Sequence, residues 1–191
     1  MLFIKIIAIT VITFFASSTV QDDSNKPFNI DITHSTALFK VHHVGAGMFY
    51  GRFNDVEGTI TLSEENLPSF NVSIAINSVD TGNSKLDSHL KSPDFFNAIE
   101  FPTMTFKSAE VKPTDETTYE VSGEMTMHGV TKSITVEMVK TGQVTNRRGE
   151  MIGFETEFTI NRSDFDMDYG VENKALSDQI KVIVALEAGR K

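Results

Sequence analysis

The sequence contains no cysteine and has little positive charge, with 17 Lys and Arg residues against 26 Asp and Glu and a formal net charge of −9. The absence of cysteine excludes disulfides, thiolate catalysis and Cys-based zinc or iron–sulfur sites. The acidic balance repels phosphate backbones and anionic lipid surfaces, so we expect no nucleic-acid binding. Gly-rich phosphate loops, nucleophile elbows and paired catalytic carboxylates are also missing. We therefore predict a protein that is not an enzyme and needs no cofactor.

Long apolar runs are absent except at the N-terminus. Lys5 precedes an almost wholly apolar segment at 6–15, and small residues follow at 16–18, as in an export signal. We predict a signal peptide at 1–18, a flexible leader at 19–27 and one folded domain at 28–189. Cleavage predicts a periplasmic or secreted protein with no stable membrane insertion, and the alternative is an uncleaved N-terminal anchor.

Most of the remaining sequence alternates between apolar and polar residues. Tyr119, Val121, Gly123, Met125 and Met127 are separated by polar residues, which is the pattern of a strand with one buried face. The same period predicts strands at 70–76, 134–138, 152–160 and 180–186, and further strands are predicted at 38–44, 51–62 and 103–111. About eight strands at short intervals, separated by turn signals, predict an all-β antiparallel sheet.

The segment from 83 to 97 breaks this alternation. Asn83 or Ser84 can cap a helix, Leu86 and Leu90 lie four residues apart, and a second short helix can start at 92–94. We predict a short helical excursion between two strands.

An antiparallel sheet of this size hides its apolar side either as a sandwich or as a closed barrel, and alternation does not separate the two. Bulky or flexible side chains at the predicted inward positions favour a barrel with an occupied interior. These side chains are Phe39, Phe106, Tyr119, Met125, Met138, Phe154 and Phe158. The alternative is that they fill their own core.

Four motifs resemble those of the YceI-like family and occur in the family's order. They are FKVHHVG at 39–45, DSHLKSPDFF at 87–96 followed by FPTMTF at 101–106, GEMTMHGVT at 123–131, and NRSDF at 161–165. The resemblance covers about 28–187. The sequence departs from the family pattern at Asp166, where the family tends to have glycine.

This resemblance implies a lipocalin-like antiparallel β-barrel, exported to the periplasm, that binds a polyisoprenoid or similar long amphiphile, such as an isoprenoid quinone or prenyl phosphate, for transport, storage or sequestration. With the strand pattern, it gives a set of inward residues as predicted ligand contacts. The set is Phe39, Val41, His43, Phe53, Ile60, Val72, Ile74, Ile76, Phe106, Tyr119, Val121, Met125, Ile134, Val136, Met138, Phe154, Phe158, Val182 and Val184.

Basic residues in or beside these motifs are candidates for contact with a charged headgroup. They are Arg52, Lys85, Lys91 and Arg162, and the alternative is that they are solvated surface cations. The acidic net charge favours a neutral headgroup or one left in solvent. The predicted partner is the lipid, and formation of a homodimer stays open.

The five histidines do not have metal-ligand spacing. His42 and His43 are adjacent on a predicted strand and point to opposite faces, so we predict no metal site there. His43 shares a face with Phe39 and Val41, which predicts a hydrogen-bonded interior position. His128 is expected to bond the backbone of its own turn. Two other functions stay open, a lipid-modifying enzyme that uses His43 or His89 and a ligand-free structural barrel.

Overall fold

A computed structural model describes residues 26–147 and 149–191. The predicted signal peptide, and the leader up to residue 25, lie outside the described residues. The described chain forms eleven strands and one α-helix. The strands are β1 (Phe28–Ile30), β2 (Thr36–His43), β3 (Gly47–Phe53), β4 (Val56–Leu62), β5 (Pro68–Ala75), β6 (Val79–Asp80), β7 (Thr103–Pro113), β8 (Thr118–Met127), β9 (Val130–Asn146), β10 (Gly149–Asn161) and β11 (Leu176–Arg190).

Every strand pairing is antiparallel, and eight of the strands close into a ring. Their order is β1, β4, β5, β7, β8, β9, β10 and β11, and β11 pairs with β1 again. The contact at this seam is short, because β1 has three residues and pairs with β4 on one side and with β11 on the other. The predicted closed barrel is confirmed, and an open sandwich is excluded.

The alternation on which the strand predictions rest is also confirmed. In β8, Tyr119 and Val121 are buried, whereas Glu120 and Glu124 are exposed. The long strand predicted at 51–62 is two strands, because the chain turns at 54–55 between β3 and β4. The strands β2 and β3 form a hairpin that joins the ring through the pairing of β2 with β11. We call residues 36–53 the β2–β3 hairpin.

Helix α1 (Ser84–Leu90) lies in the predicted helical excursion. The Asn83 side chain accepts hydrogen bonds from the amides of Lys85 and Leu86 at 3.1 and 3.2 Å, so it caps the helix as predicted. The second helix predicted from residue 92 is wrong, since residues 91–102 form turns. Phe95 and Phe96 are both buried. A helix would direct these neighbours about 100° apart, whereas the turns let both side chains pack inward.

Two 3-10 turns complete the structure, at Ile76–Ser78 and Arg162–Phe165. The second opens the connection between β10 and β11, residues 162–175, which we call the β10–β11 connection. Asp166 ends this turn in the left-handed conformation with φ of 56°. This position corresponds to the family glycine noted in the sequence, and a glycine would adopt it with less strain.

Candidate functional site

The barrel encloses an apolar cavity of about 710 Å³. Its walls come from the inward faces of β2, β3, β5, β7, β8, β9, β10 and β11 together with helix α1. Several wall residues point inward yet are only partly buried, among them Phe106, Phe158 and Val184, because they face the open space. The interior at this level is therefore hollow rather than filled by its own side chains.

The opposite end of the barrel is solid. Phe28, Ile60, Val121 and Ile152 are at most 1% exposed there. Phe154 packs edge-on against Phe70 with ring centroids 5.1 Å apart and also contacts Tyr119. This packed end supplies the core that stabilises the fold.

Five of the residues that line the cavity are exposed to solvent; one is Thr105 on β7, and the other four mark the mouth. These four are His43, Gly47, Met48 and Tyr169. They lie on the tip of the β2–β3 hairpin and on the β10–β11 connection. The amide of Val44 donates a 2.8 Å hydrogen bond to the Ala175 carbonyl, which joins these two segments at the mouth.

The structure brings most of the predicted ligand-contacting residues together in the cavity wall. These are Phe39, Val41, His43, Phe53, Val72, Ile74, Phe106, Met125, Ile134, Val136, Met138, Phe158, Val182 and Val184. Their common signal was the inward position on an alternating strand. Their contact with a ligand stays a prediction.

Five residues of the predicted set do not line the cavity. They are Ile60, Ile76, Tyr119, Val121 and Phe154. Each of them is almost fully buried, and four lie in the packed end, whereas Ile76 lies in the 3-10 turn after β5. Alternation predicts which face of a strand points inward, but it does not predict how far along the barrel axis a residue lies. The predicted set therefore included residues of the packed end together with residues of the cavity wall.

The cavity wall also contains residues that the predicted set omitted. Leu86, His89 and Leu90 project from α1 and form part of the roof, at a spacing of three and four residues that was visible in the sequence. Phe95 and Phe96 join them from the turns that follow. Strand residues such as Phe70, Met127 and Ile180 also line the wall. Met48, Met167 and Tyr169 line it near the mouth, and no sequence pattern distinguished these three.

Arg162 is buried beside the cavity, with 4% of its surface exposed. Its guanidinium donates hydrogen bonds to the carbonyls of Ser177, Met167 and Tyr169 at 2.9, 3.3 and 3.0 Å. Desolvation lowers the pKa of Arg162, while Asp178 and Asp168 oppose this shift. The side chain therefore holds the β10–β11 connection in place and is largely committed to backbone partners.

The carboxylate of Asp178 supports the same region. It accepts hydrogen bonds from the amide and the hydroxyl of Ser163 at 2.9 and 2.7 Å. Desolvation raises the pKa of Asp178, but these hydrogen bonds and the Arg162 charge outweigh it and hold the pKa below its usual value.

The other three headgroup candidates do not line the cavity. Arg52 lies on the outer face of β3, where its Nε is 3.9 Å from Asp80. Lys91 directs its ammonium toward the Asn77 carbonyl at 3.4 Å, and Lys85 is exposed on α1. The structure thus does not gather the four cations into one headgroup site.

An aromatic group closes one side of the mouth. The rings of His89, Phe95 and Tyr169 contact one another with centroid distances of 5.0, 5.4 and 4.9 Å. The Nε2 atom of His89 lies 3.1 Å from the Asp94 carboxylate. This group connects α1 and its following turns with the β10–β11 connection.

The remaining histidines differ from expectation in two details. His43 lines the mouth and His42 faces a shallow outer pocket, so the two do point in opposite directions. His43 is exposed at the rim, however, rather than in the interior. His128 Nδ1 lies 3.2 Å from the Phe165 carbonyl and not on its own turn, so it fastens the β8–β9 turn to the β10–β11 connection.

One group of possible metal ligands is found among the described residues. Asp31, His34 and Glu187 offer ligand atoms within 4.8 Å of one another on the outside of the packed end. The hydrogen bond between His34 Nδ1 and Asp31 Oδ2, at 2.9 Å, accounts for their closeness and lowers the pKa of Asp31. None of these three residues lines the cavity.

Within residues 26–147 and 149–191, no helix has the length and apolar character required to cross a membrane. The single α-helix has seven residues.

Known proteins are similar to this chain in sequence and in structure. The chain is 34% identical to a UPF0312 protein of Pectobacterium carotovorum over 97% of both chains. It is 35% identical to protein YceI of Escherichia coli over 91% of this chain and 90% of the relative. A crystal structure of a YceI protein from Campylobacter jejuni superposes with a TM-score of 0.71 at 32% identity, covering 80% of this chain and 91% of that one.

A more distant solved structure shares the fold. It is a polyisoprenoid binding domain from Saccharophagus degradans, with a TM-score of 0.69 and 17% identity over 86% of this chain and 98% of that domain. The family match itself spans residues 28–188, from the start of β1 to two residues before the end of β11. By this match and by the sequence identities, the chain belongs to the YceI-like domain family.

Proposed function

We propose that this protein binds one long apolar molecule of the polyisoprenoid class, with the tail inside the barrel and the polar end at the mouth. The observation that carries the proposal is the apolar cavity of about 710 Å³ that opens at one end. The name of the Saccharophagus degradans domain, which shares the fold, supports the ligand class. The proposed role is to transport, store or sequester the lipid.

The shape of the cavity favours an extended guest. Its wall on β11 runs from Ile180 to Leu186, which corresponds to roughly 20 Å along a strand. Its volume is within the range of roughly 300 to 1,000 Å³ that is usual for small-molecule sites. Burial of a hydrocarbon stabilises a complex by about 0.8 kcal/mol per CH₂. Ten buried carbons thus contribute about 8 kcal/mol, which is comparable to the entropic cost of association, and each further buried carbon adds to the affinity.

A neutral headgroup fits the mouth better than a pyrophosphate. Arg162 is committed to three backbone carbonyls, and Arg52 lies beside Asp80. The polar side chains at the rim are His43, His89 and Tyr169, which offer hydrogen bonds to a hydroxyl or carbonyl group. We therefore propose an isoprenoid alcohol or quinone rather than a prenyl diphosphate.

We propose a binding protein rather than an enzyme, located in the periplasm or secreted. The location depends on the export signal predicted at 1–18. The two histidines considered for catalysis have different surroundings. His89 lies beside the Asp94 carboxylate, and His43 is exposed at the rim.

Native mass spectrometry and lipid extraction of the purified protein test the proposal. We expect an isoprenoid to accompany the protein, and a delipidated sample to take up a long-chain prenyl alcohol or quinone from ethanol solution. Recovery of the added lipid unchanged after prolonged incubation distinguishes carriage from turnover. Failure of the protein both to retain and to take up any prenyl compound contradicts the proposal, and turnover that is lost in His43→Ala or His89→Ala favours the enzyme.

A further inference from the structure

We infer that the tip of the β2–β3 hairpin docks on a phospholipid membrane surface and brings the mouth of the cavity against the bilayer. This inference rests on the proposed function, because it supplies the route by which a water-insoluble lipid enters. The hairpin tip is part of the mouth itself, since His43, Gly47 and Met48 are both exposed and part of the cavity wall.

The hairpin exposes several large apolar side chains. Val44, Met48 and Tyr50 are 57%, 54% and 59% exposed, and Tyr169 beside them on the β10–β11 connection is 46% exposed. Tyrosine is a residue that membrane–water interfaces favour, because its ring is apolar and its hydroxyl is polar. Met48 and Tyr169 belong to the cavity wall, whereas Tyr50 extends the exposed apolar surface onto the outer face of the hairpin. A lipid tail that passes Met48 would therefore leave the bilayer without crossing bulk water.

The charge of the hairpin differs from that of the rest of the protein. No Asp or Glu occurs between Asp31 and Asp55, although the whole chain carries a charge of −9. Lys40 and Arg52 lie on the outer face of the hairpin, where Lys40 is paired with Tyr50 across the two strands and its ammonium lies 5.4 Å from the ring. A lysine at this place adds roughly 1 kcal/mol of attraction to an anionic lipid surface.

The acidic residues near the mouth belong to the β10–β11 connection and not to the hairpin. Asp166, Asp168 and Glu172 are all exposed. They repel anionic headgroups, which directs the hairpin side of the mouth toward the membrane rather than the whole end of the barrel. The charge distribution therefore selects one edge for contact.

The backbone of β3 sets the depth of this contact. Within the described residues, β6 pairs only with Arg52 and Phe53 of β3, so the outer edge of β3 at 47–51 has no strand partner. Unpaired peptide groups are expensive in hydrocarbon, whereas the hydrated headgroup layer satisfies them. The hairpin tip is thus expected to rest at headgroup level without spanning the bilayer.

Sedimentation with lipid vesicles tests the docking surface. The protein is used as the cell produces it, with its N-terminus determined by mass spectrometry, and the vesicles contain phosphatidylcholine with or without phosphatidylglycerol. We expect Val44→Asp and Met48→Asp to weaken vesicle binding by about tenfold, because each places a charge where an apolar side chain enters the interface. Lys40→Glu is expected to remove the preference for vesicles that contain phosphatidylglycerol.

Matched controls lie away from the mouth. Val144, which is 56% exposed in β9 toward the packed end, is as accessible as Val44, so Val144→Asp should leave binding unchanged. Lys107→Glu on the outer face of β7 serves the same purpose for Lys40→Glu. The inference is overturned if Val44→Asp binds as wild type, if Val144→Asp weakens binding equally, or if Val44→Asp instead dissociates a dimer of the protein.

A second measurement separates this inference from the proposed function. Uptake of a prenyl alcohol from ethanol solution requires the cavity but no membrane contact. We expect Val44→Asp to keep this uptake and to lose transfer of the same lipid from donor vesicles. If wild type takes up no lipid from solution, the proposed function fails, whereas uptake without any vesicle binding overturns the docking surface alone.

Discussion

The ring of Phe39 lies directly over the Cα of Gly51 on the neighbouring strand, so closely that a Cβ on residue 51 would overlap the ring. Phe39 lines the cavity and also contacts Phe53, at 5.8 Å between ring centroids. The absence of a side chain at residue 51 thus keeps this aromatic ring flat against the wall and leaves the cavity open.

This relationship predicts that Gly51→Ala drives the Phe39 ring into the cavity. We expect a loss of about 1 to 3 kcal/mol in the free energy of unfolding, as for other overpacked sites, and a several-fold weaker uptake of prenyl alcohol. Gly47→Ala is the control, because a Cβ there meets no atom within 4 Å. Equal uptake by the two variants would show that Phe39 does not limit the cavity.

Phe154 and Phe158 lie on the same face of β10, but only Phe158 lines the cavity. We expect Phe158→Lys to abolish lipid uptake at a modest stability cost, because its ammonium occupies the apolar space. We expect Phe154→Ala to cost about 3 to 5 kcal/mol through a void in the packed end, with uptake retained while the protein is folded. Urea unfolding measures the stability of each variant, and lipid titration measures its uptake. Loss of uptake in Phe154→Ala but not in Phe158→Lys would contradict the position of the cavity along the barrel.

The three carbonyls bound by Arg162 predict a structural role for this cation. Arg162→Lys should lower the free energy of unfolding by roughly 2 to 4 kcal/mol, because an ammonium cannot reach all three acceptors and leaves buried carbonyls unsatisfied. Thermal unfolding measures this loss. Uptake of a neutral prenyl alcohol below the unfolding temperature should be unchanged. A variant with wild-type stability but reduced uptake would instead assign Arg162 to the headgroup.

The lowered pKa of Asp178 predicts a dependence of stability on pH. Because the folded-state pKa lies below the unfolded value, the carboxylate contributes its stability above about pH 4 and loses it as the pH falls through the folded-state pKa. Asp178→Asn should remove this contribution and cost about 1 kcal/mol at neutral pH. Ser163→Ala should give a smaller effect in the same direction, since the Ser163 amide remains. Parallel acid-unfolding curves for wild type and Asp178→Asn would contradict this assignment.

The left-handed conformation of Asp166 predicts that glycine stabilises the protein at this position. Asp166→Gly should raise the free energy of unfolding by roughly 0.5 to 1 kcal/mol, because glycine adopts a positive φ with little strain. Chemical denaturation measures the gain, and Asp168→Gly in the same connection is the comparison. A loss of stability in Asp166→Gly would mean that the Asp side chain contributes more than the backbone strain costs.

The fold could be predicted largely from the sequence, because an antiparallel barrel repeats one local signal. Each strand such as β8 alternates between a buried and an exposed face. The position along the barrel has no such signal, which is why Phe154 and Phe158 were predicted to have the same role. The turns that bury Phe95 and Phe96 were predicted as helix because their geometry depends on packing against the barrel rather than on local preference.

The candidate site could be predicted only in part for the same reason. Inward strand residues such as Phe106 and Met138 were found, since strand register determines them. Met167 and Tyr169 were missed, because the β10–β11 connection has no period and its course is fixed by hydrogen bonds from the buried Arg162 side chain to backbone carbonyls. The chemical identity of Arg162 was visible in the sequence, but its burial was not.

The three residues of β1 close the barrel. Phe28–Ile30 is the sole bridge between β4 and β11 among the described strands. Deletion of β1 would open the barrel between β4 and β11 and leave both as unpaired edge strands. Exposed edge strands can pair with those of other molecules and cause aggregation. Residues 28–30 thus determine whether the chain forms a closed barrel or an open sheet with unpaired edges.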